Sequence, residues 1–228
     1  LVSNGDFSQE GSELVNNGNF ANGSTDWTIS GGNAQISNGK LNLTNAVIYG
    51  TSVNNSATVV SGKTYLVKYT ISDYVGGSSQ IRLGSRFGTS RNSNGTFSEY
   101  ILANDTAIRV YSSSSNTTLS ITNISVKEVG QDWTLGTGWS IGENKVISVN
   151  GGNFVTYQPA LTSGKKYKIS YEVKDYVSGS FSVRANAVSG ALVSANGVYT
   201  DYLTSNGIQL YLMGGGIFNG SITNISVI

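Results

Sequence analysis

Two arginines and two tyrosines are the side chains best suited to bind a ligand. Arg82 and Arg184 each lie between apolar residues, and Tyr111 and Tyr211 each continue an alternating apolar pattern. Period-two alternation predicts that all four lie on the outer face of a sheet, at matching places in two halves of the chain. We predict them as ligand-binding residues for a glycan or a partner chain. The same pattern is typical of a solvated face on which arginine covers tyrosine.

Acidic residues also recur in pairs, but their pattern does not predict catalysis. Asp73 and Asp175 each precede Tyr-Val and a turn, where an aspartate most simply caps the turn by accepting backbone N–H bonds. Glu99 and Asp201 form the other equivalent pair. Glycoside hydrolysis needs two carboxyl groups roughly 5–10 Å apart, and nothing in the sequence predicts such a pair. We therefore expect no catalytic residues and predict that the chain is not an enzyme.

Composition narrows the remaining classes. The chain of 228 residues has no cysteine and no histidine, which removes thiolate metal sites and the commonest general base. Its formal net charge is +1 and only 12% of residues are charged, without the basic stripe that indicates nucleic-acid binding. No apolar run approaches the roughly 18 residues of a membrane span. We expect no cofactor, no metal, no nucleic acid and no membrane insertion.

The positions of these residues depend on an internal duplication. Ser61–Val75 returns in similar form as Ser163–Val177, and Ser120–Val126 returns unchanged as Ser221–Val227. A period of about a hundred residues is the size of a domain, far longer than a solenoid repeat. We predict two modules, residues 14–129 and 130–228.

A smaller duplication lies at the start of the chain. Leu1–Phe7 resembles Leu14–Phe20, but only the second copy is followed by a tryptophan, Trp27, and a full module. We interpret residues 1–13 as an N-terminal extension, either the stub of a preceding module or a strand offered to a neighbouring chain. The opening residues look like an internal start, so we expect a longer parent protein.

Alternation and turn residues predict an all-β chain. Tyr65, Val67, Tyr69 and Ile71 share one face of a strand and are expected in the core. Asn-Gly and Gly-Gly pairs punctuate the chain at short intervals, which favours an antiparallel sandwich. The predicted strands that follow are Gln80–Phe87, Ser98–Leu102, Ala107–Tyr111 and Leu119–Val126 in the first copy, and Ser182–Ala187, Thr200–Thr204, Gly207–Leu212 and Gly220–Val227 in the second.

These segments together carry a family resemblance. Leu-Val-x-Asn-Gly-x-Phe, a strand opened by Trp27 or Trp139, the Ser-Gly-Lys-x-Tyr strand and the closing Ser-Ile-Thr-Asn-Ile-Ser-Val resemble the jelly-roll carbohydrate-binding modules of families four, nine and twenty-two. More narrowly, they resemble tandem copies in bacteriophage virion proteins. Three segments resemble the usual first or last residues of such modules: Ser125–Val129, Gly130–Trp139 and Phe218–Val227. The resemblance implies two tandem antiparallel jelly-roll β-sandwich domains.

The same resemblance implies a role. It predicts a non-enzymatic structural or adhesive module in a tail, fibre or capsid-decorating protein on the virion exterior, with glycans as a further ligand. Expected partners are other virion subunits, in a homo-oligomer or larger assembly. Thr122-Asn123 and Thr223-Asn224 stand where the family often has calcium-binding aspartates, which argues against calcium. The alternatives are a carbohydrate-binding module of a secreted polysaccharide-degrading enzyme, or a face that only packs on neighbouring subunits.

Overall fold

A computed structural model describes residues 1–151 and 155–228, and within them all regular structure is β. Every strand pairing is antiparallel, as the alternating sequence predicts. The strands up to residue 129 are β1 Glu10–Glu13, β2 Trp27–Ser30, β3 Ala34–Ser37, β4 Lys40–Ala46, β5 Ser52–Thr58, β6 Thr64–Gly76, β7 Ser79–Leu83, β8 Arg86–Phe87, β9 Gly95–Leu102, β10 Ala107–Ser112 and β11 Thr117–Val129. The later strands are β12 Trp139–Gly142, β13 Lys145–Gly151, β14 Val155–Pro159, β15 Lys166–Ala185, β16 Val188–Ser189, β17 Gly197–Thr204 and β18 Gln209–Val227.

The chain divides into two structural units, one of which is interrupted in sequence. Glu10–Val129 forms one unit, called the inserted unit below. Leu1–Gln9 joins Gly130–Ile228 in the other, called the split unit. Residues 1–9 therefore complete the second copy, which differs from the expected N-terminal extension. Only residues 10–13 of that stretch belong with the first copy, where they form β1.

The inserted unit is a sandwich of two sheets. One has the order β3-β4-β11-β6-β9, with β1 added to β11, and the other has the order β2-β5-β10-β7-β8. The predicted inward ladder is confirmed, because Tyr65, Val67, Tyr69 and Ile71 are all buried. A turn at Gly84, with φ of 63°, divides the predicted Gln80–Phe87 strand into β7 and β8.

The split unit repeats this jelly-roll arrangement with fewer, longer strands. One layer follows β12-β13-β18-β15-β17, and the other joins β14 and β16 to the remaining parts of β18 and β15. Register shifts between Lys174 and Ser180 mark the place where β15 passes from one layer to the other. Bulges bend a strand in this way. The long strands β15 and β18 therefore each span both layers, where the inserted unit uses the separate strands β6 and β7, and β10 and β11.

Each N-terminal segment is fixed in its own unit by the same set of contacts. In the split unit Ile225 N donates to Gly5 O at 2.9 Å, Trp133 Nε1 donates to Asn4 O at 3.1 Å, and the Phe7 and Trp133 rings lie 5.3 Å apart. In the inserted unit Ile124 N donates to Gly18 O at 2.9 Å and Trp27 Nε1 donates to Asn17 O at 2.9 Å. The Phe20 and Trp27 rings lie 5.0 Å apart. The structural counterpart of Trp27 is thus Trp133, and the expected match with Trp139 is wrong.

The three tryptophans are core residues. Trp27, Trp133 and Trp139 are 5%, 3% and 4% exposed. Trp139 opens β12, the counterpart of β3, and packs near Phe181 and Phe218. None of the three presents a ring face to solvent, so a ligand-binding role belongs to other aromatics.

Candidate ligand-binding face

The ladder between β7 and β10 places the predicted Arg82 and Tyr111 on one outer face. Arg109 pairs with Arg82, and Tyr111 pairs with Gln80. The residues between them are fully buried on the opposite face, for example Ile81 at 0% exposure. Because successive side chains alternate across a strand, Arg82, Arg109 and Tyr111 point away from the core.

Three aromatic rings meet on this face and form what we call the aromatic platform, Tyr49, Phe87 and Tyr111. The Tyr49 ring lies 5.5 Å from Phe87 and 6.2 Å from Tyr111, measured between ring centres. Tyr49 and Phe87 are 53% and 47% exposed. Exposed rings in one cluster offer the flat apolar area that a sugar ring or another planar group can cover.

Arg82 lies against the same rings. Its guanidinium carbon is 4.7 Å from the centre of Phe87 and 5.5 Å from the centre of Tyr111, both within cation–π range. Its neighbour Arg109 is held differently, since Nε donates to Asn54 Oδ1 at 2.8 Å. Both cations are therefore oriented by contacts within the sheet before any ligand arrives.

Two members of the platform were missed by sequence reasoning. Tyr49 lies in the turn before β5, held by a bond from its N–H to Ser112 O of 3.0 Å, and its φ is 52°. A bulky residue at positive φ is uncommon and stores strain of a kind that collects at functional sites. No sequence signal marks it. Phe87 was missed because it lies five residues after Arg82, an odd spacing that puts it on the opposite face of the single predicted strand Gln80–Phe87. Only the β7–β8 turn brings it directly opposite that arginine.

In the split unit Arg184 and Tyr211 also meet, but not as equivalents of Arg82 and Tyr111. Arg184 pairs with Tyr211 across β15 and β18, just as Arg82 pairs with Arg109. Tyr211 therefore corresponds to Arg109. Tyr111 corresponds to Met213, which pairs with Ser182. The expected equivalence of the two tyrosines is wrong by two residues, which is one full period of a strand and so leaves the face unchanged.

Among the described residues, the matching face of the split unit has fewer aromatic rings and fewer cations. Tyr157 lies 5.5 Å from Tyr211 between ring centres, and Ser189 takes the place opposite Arg184 that Phe87 has opposite Arg82. Residues 152–154, which follow the counterpart of β4 as Val47–Tyr49 follow β4, lie outside the described residues. The two units thus share an outward arginine and differ in what surrounds it.

The equivalent acids Glu99 and Asp201 hold loops. Glu99 Oε2 accepts from Thr89 N at 2.6 Å, and Asp201 Oδ1 accepts from Ala191 N at 2.9 Å. Asp201 also accepts from the Tyr171 hydroxyl at 3.3 Å. Each carboxylate is therefore engaged in fixing the loop beside it.

Asp73 and Asp175 do not cap turns through backbone N–H groups as expected. Asp73 accepts from Lys40 Nζ at 2.8 Å, and Asp175 accepts from Lys145 Nζ at 2.9 Å. Hydrogen bonds and these ammonium groups lower the pKa of both carboxyl groups. Both aspartates are at positive φ, 52° and 51°, and each reaches a lysine two strands away in its sheet, across β11 or β18.

Two clefts also lie on the surface, and the described residues that line them include no aromatic cluster with an arginine against it. Phe87 also lines a cleft of about 390 Å³ beside Glu99, and a cleft of about 490 Å³ lies over Lys145 and Asp175. Within residues 1–151 and 155–228, no group of three His, Cys, Asp or Glu side chains is placed to hold a metal ion. The described part of the chain also has no helix long and apolar enough to cross a membrane.

No protein-family model matches the chain, and no curated protein matches it. Solved structures resemble it in shape. The N-terminal CBM22-1–CBM22-2 tandem domain from Paenibacillus barcinonensis Xyn10C matches 96% of this chain and 98% of that chain, with 10% identity and a TM-score of 0.43. Paenibacillus xanthan lyase matches 96% of this chain with 13% identity and a TM-score of 0.32, and this chain spans 25% of its length.

An anti-sigma factor domain-containing protein matches 89% of this chain and 92% of its own, with 10% identity and a TM-score of 0.23. All three TM-scores are too low to assign a family or a ligand. The strand pairing of the chain itself therefore defines the fold, an all-β chain of antiparallel jelly-roll sandwiches.

Proposed function

We propose that the chain is a non-enzymatic adhesive module that binds a saccharide on the aromatic platform of the inserted unit. The observation that carries the proposal is the meeting of Tyr49, Phe87 and Tyr111 on one outward sheet face, with Arg82 against two of the rings. Sugar rings have an apolar face that stacks on aromatics and hydroxyls that take hydrogen bonds from planar polar groups. The platform has aromatic rings for the apolar face of the sugar and a planar guanidinium group for its hydroxyls.

The state of the acids supports a non-catalytic role. Glycoside hydrolysis requires two free carboxyl groups that face each other across the scissile bond. Glu99 and Asp201 lie in different units, and each is bonded to its own loop. The aspartates at 73 and 175 are each bonded to a lysine. A binding role needs no such pair.

The proposed location of the chain is the exterior of a bacteriophage particle, in association with other virion subunits. This rests on the sequence resemblance of the repeats. An antibody against the chain would label the particle surface in that setting, whereas in the alternative setting it would detect a secreted polysaccharide-degrading enzyme. Repetition of weak sites on one chain, or on several subunits, raises avidity in either setting.

Saccharide binding is tested by screening the intact chain against an immobilised glycan panel and titrating the hits by isothermal calorimetry. We expect Tyr111→Ala and Phe87→Ala to weaken binding about tenfold or more, since an aromatic contact is worth roughly 0.5–1.5 kcal/mol beyond the area it buries. Tyr202→Ala is the matched control, because Tyr202 is 63% exposed and belongs to β17 of the split unit, not to the platform.

Two results would overturn the proposal. One is that no glycan in the panel binds the intact chain. The other is that the Tyr111 and Phe87 variants bind as tightly as the Tyr202 control. Circular dichroism of each variant separates a lost contact from a lost fold.

A further inference from the structure

The cations of the platform lack acidic partners. Arg82 and Arg109 are directly paired across β7 and β10, and both project outward. Among the described residues, every ion pair involves a lysine and none involves an arginine. Like charges opposite each other on neighbouring strands destabilise a sheet. An anion that lay between the two guanidinium groups would remove that repulsion.

Two buried donors beside this face have no hydrogen-bond partner within the described residues. Arg82 Nε is shielded from solvent and has no hydrogen-bond partner. Arg109 uses its Nε for Asn54, so a ligand would meet its terminal nitrogens. Gln80, opposite Tyr111 on the same face, is 5% exposed, and its Nε2 also lacks a partner. An unmade hydrogen bond at a buried donor costs free energy that a ligand acceptor recovers.

Carboxylate chemistry fits these donors. The planar fork of a guanidinium matches the two oxygens of a carboxylate, and charge-assisted bonds of this type are about twice as strong as neutral ones. Stacking on Phe87 and Tyr111 limits the rotation of Arg82, which reduces the entropy that a ligand must overcome. The rings beside it would hold the rest of the sugar.

The split unit provides an internal comparison. There the position of Arg109 is taken by Tyr211, so Arg184 has an aromatic neighbour instead of a second cation. Its Nε also lacks a partner. One arginine without the paired cation gives a weaker attraction for an anion. The two faces therefore differ in charge while they share an outward arginine.

We propose that the aromatic platform of the inserted unit selects carboxylated saccharides, such as uronic-acid oligomers, over their neutral counterparts through Arg82 and Arg109. This inference rests on the proposed function and names the class of saccharide. The neighbouring rings stack on the sugar, and the paired guanidinium groups bind its carboxylate. Affinity therefore falls as salt screens the charges.

The test compares each acidic oligosaccharide with its own carboxyl-reduced form. The probes are oligogalacturonate, oligomannuronate and a glucuronic-acid-substituted xylan fragment, titrated calorimetrically into the intact chain. At least one acidic probe is expected to bind about tenfold or more tightly than its reduced form, because hydrogen bonds to a charged group are stronger than those to a neutral one. Arg82→Gln and Arg109→Gln should remove that preference, while the control Arg184→Gln in the split unit leaves it.

The outcomes separate this inference from the proposed function. Equal affinity for acidic and reduced probes, still lost in Tyr111→Ala, would overturn the acidic preference and leave saccharide binding intact. An acidic preference that survives both Arg82→Gln and Arg109→Gln would also overturn it. Failure of every probe, together with an empty glycan panel, would overturn both.

Discussion

At the scale of single residues, two buried tyrosines show how the repeat preserves the core. Tyr69 and Tyr171 occupy equivalent places on β6 and β15, and each is 1% exposed. Burial, with a smaller contribution from the Glu99 carboxylate, raises the pKa of Tyr69 to about 12. Burial and the nearby Asp201 carboxylate raise the pKa of Tyr171 as well. Both phenols must therefore stay protonated in the folded state.

These raised pKa values predict alkaline unfolding. An unfolded tyrosine ionises near pH 10, so stability is intact below about pH 10 and falls as the pH rises toward about 12. Circular dichroism and tyrosinate absorbance, followed from about pH 9 upward, should change together. The double variant Tyr69→Phe/Tyr171→Phe should unfold at higher pH, and the exposed-site control Tyr202→Phe should not. Unchanged alkaline unfolding in the double variant would contradict the assignment.

Single residues also show what the sequence could and could not predict. The outward positions of Arg82 and Tyr111 follow from alternation alone. The equivalence of Tyr111 and Tyr211 failed because matching residue types were aligned across a changed spacing. The constant spacing that relates Arg82 to Arg184 instead maps Arg109 onto Tyr211. Tyr49 was beyond prediction, since it reaches the platform from a turn whose conformation no local pattern specifies.

At the scale of elements, the Leu-Val-x-Asn-Gly-x-Phe segment is irregular in structure but closely repeated in sequence. Its glycine lies directly against the closing strand. A methyl group added to Gly5 would lie 2.1 Å from Ile225 O, and one added to Gly18 would lie 2.0 Å from Ile124 O. No side chain fits in that space. The motif glycine is thus explained by close approach of two backbones, and the segment must shift if it is replaced.

Gly5→Ala and Gly18→Ala should each destabilise one unit by roughly 1–3 kcal/mol, the usual cost of overpacking. Gly32→Ala is the control, because a Cβ at Gly32 meets nothing within 4 Å. Thermal unfolding monitored by calorimetry gives the comparison. Motif variants as stable as the Gly32 control would show that the segment tolerates a larger separation from the closing strand.

At the scale of the whole molecule, the repeat is interrupted rather than simply consecutive. Residues 1–9 complete the split unit although the whole inserted unit separates them from Gly130 in the sequence. Sequence similarity revealed both copies of the segment, but not which copy of the module each completes. That choice depends on long-range contacts, such as Phe7 with Trp133, which no local pattern encodes.

The interrupted order gives a prediction about which unit each N-terminal phenylalanine stabilises. Phe7 and Phe20 are 2% and 1% exposed, and truncation of a buried Phe costs about 3–5 kcal/mol. Phe7→Ala should speed hydrogen exchange in peptides from β17, and Phe20→Ala in peptides from β6, as measured by mass spectrometry. Each variant should leave the other unit close to its native protection. Phe7→Leu and Phe20→Leu provide milder versions if either truncation prevents folding. Faster exchange in β6 than in β17 after substitution of Phe7 would contradict the assignment of residues 1–9 to the split unit.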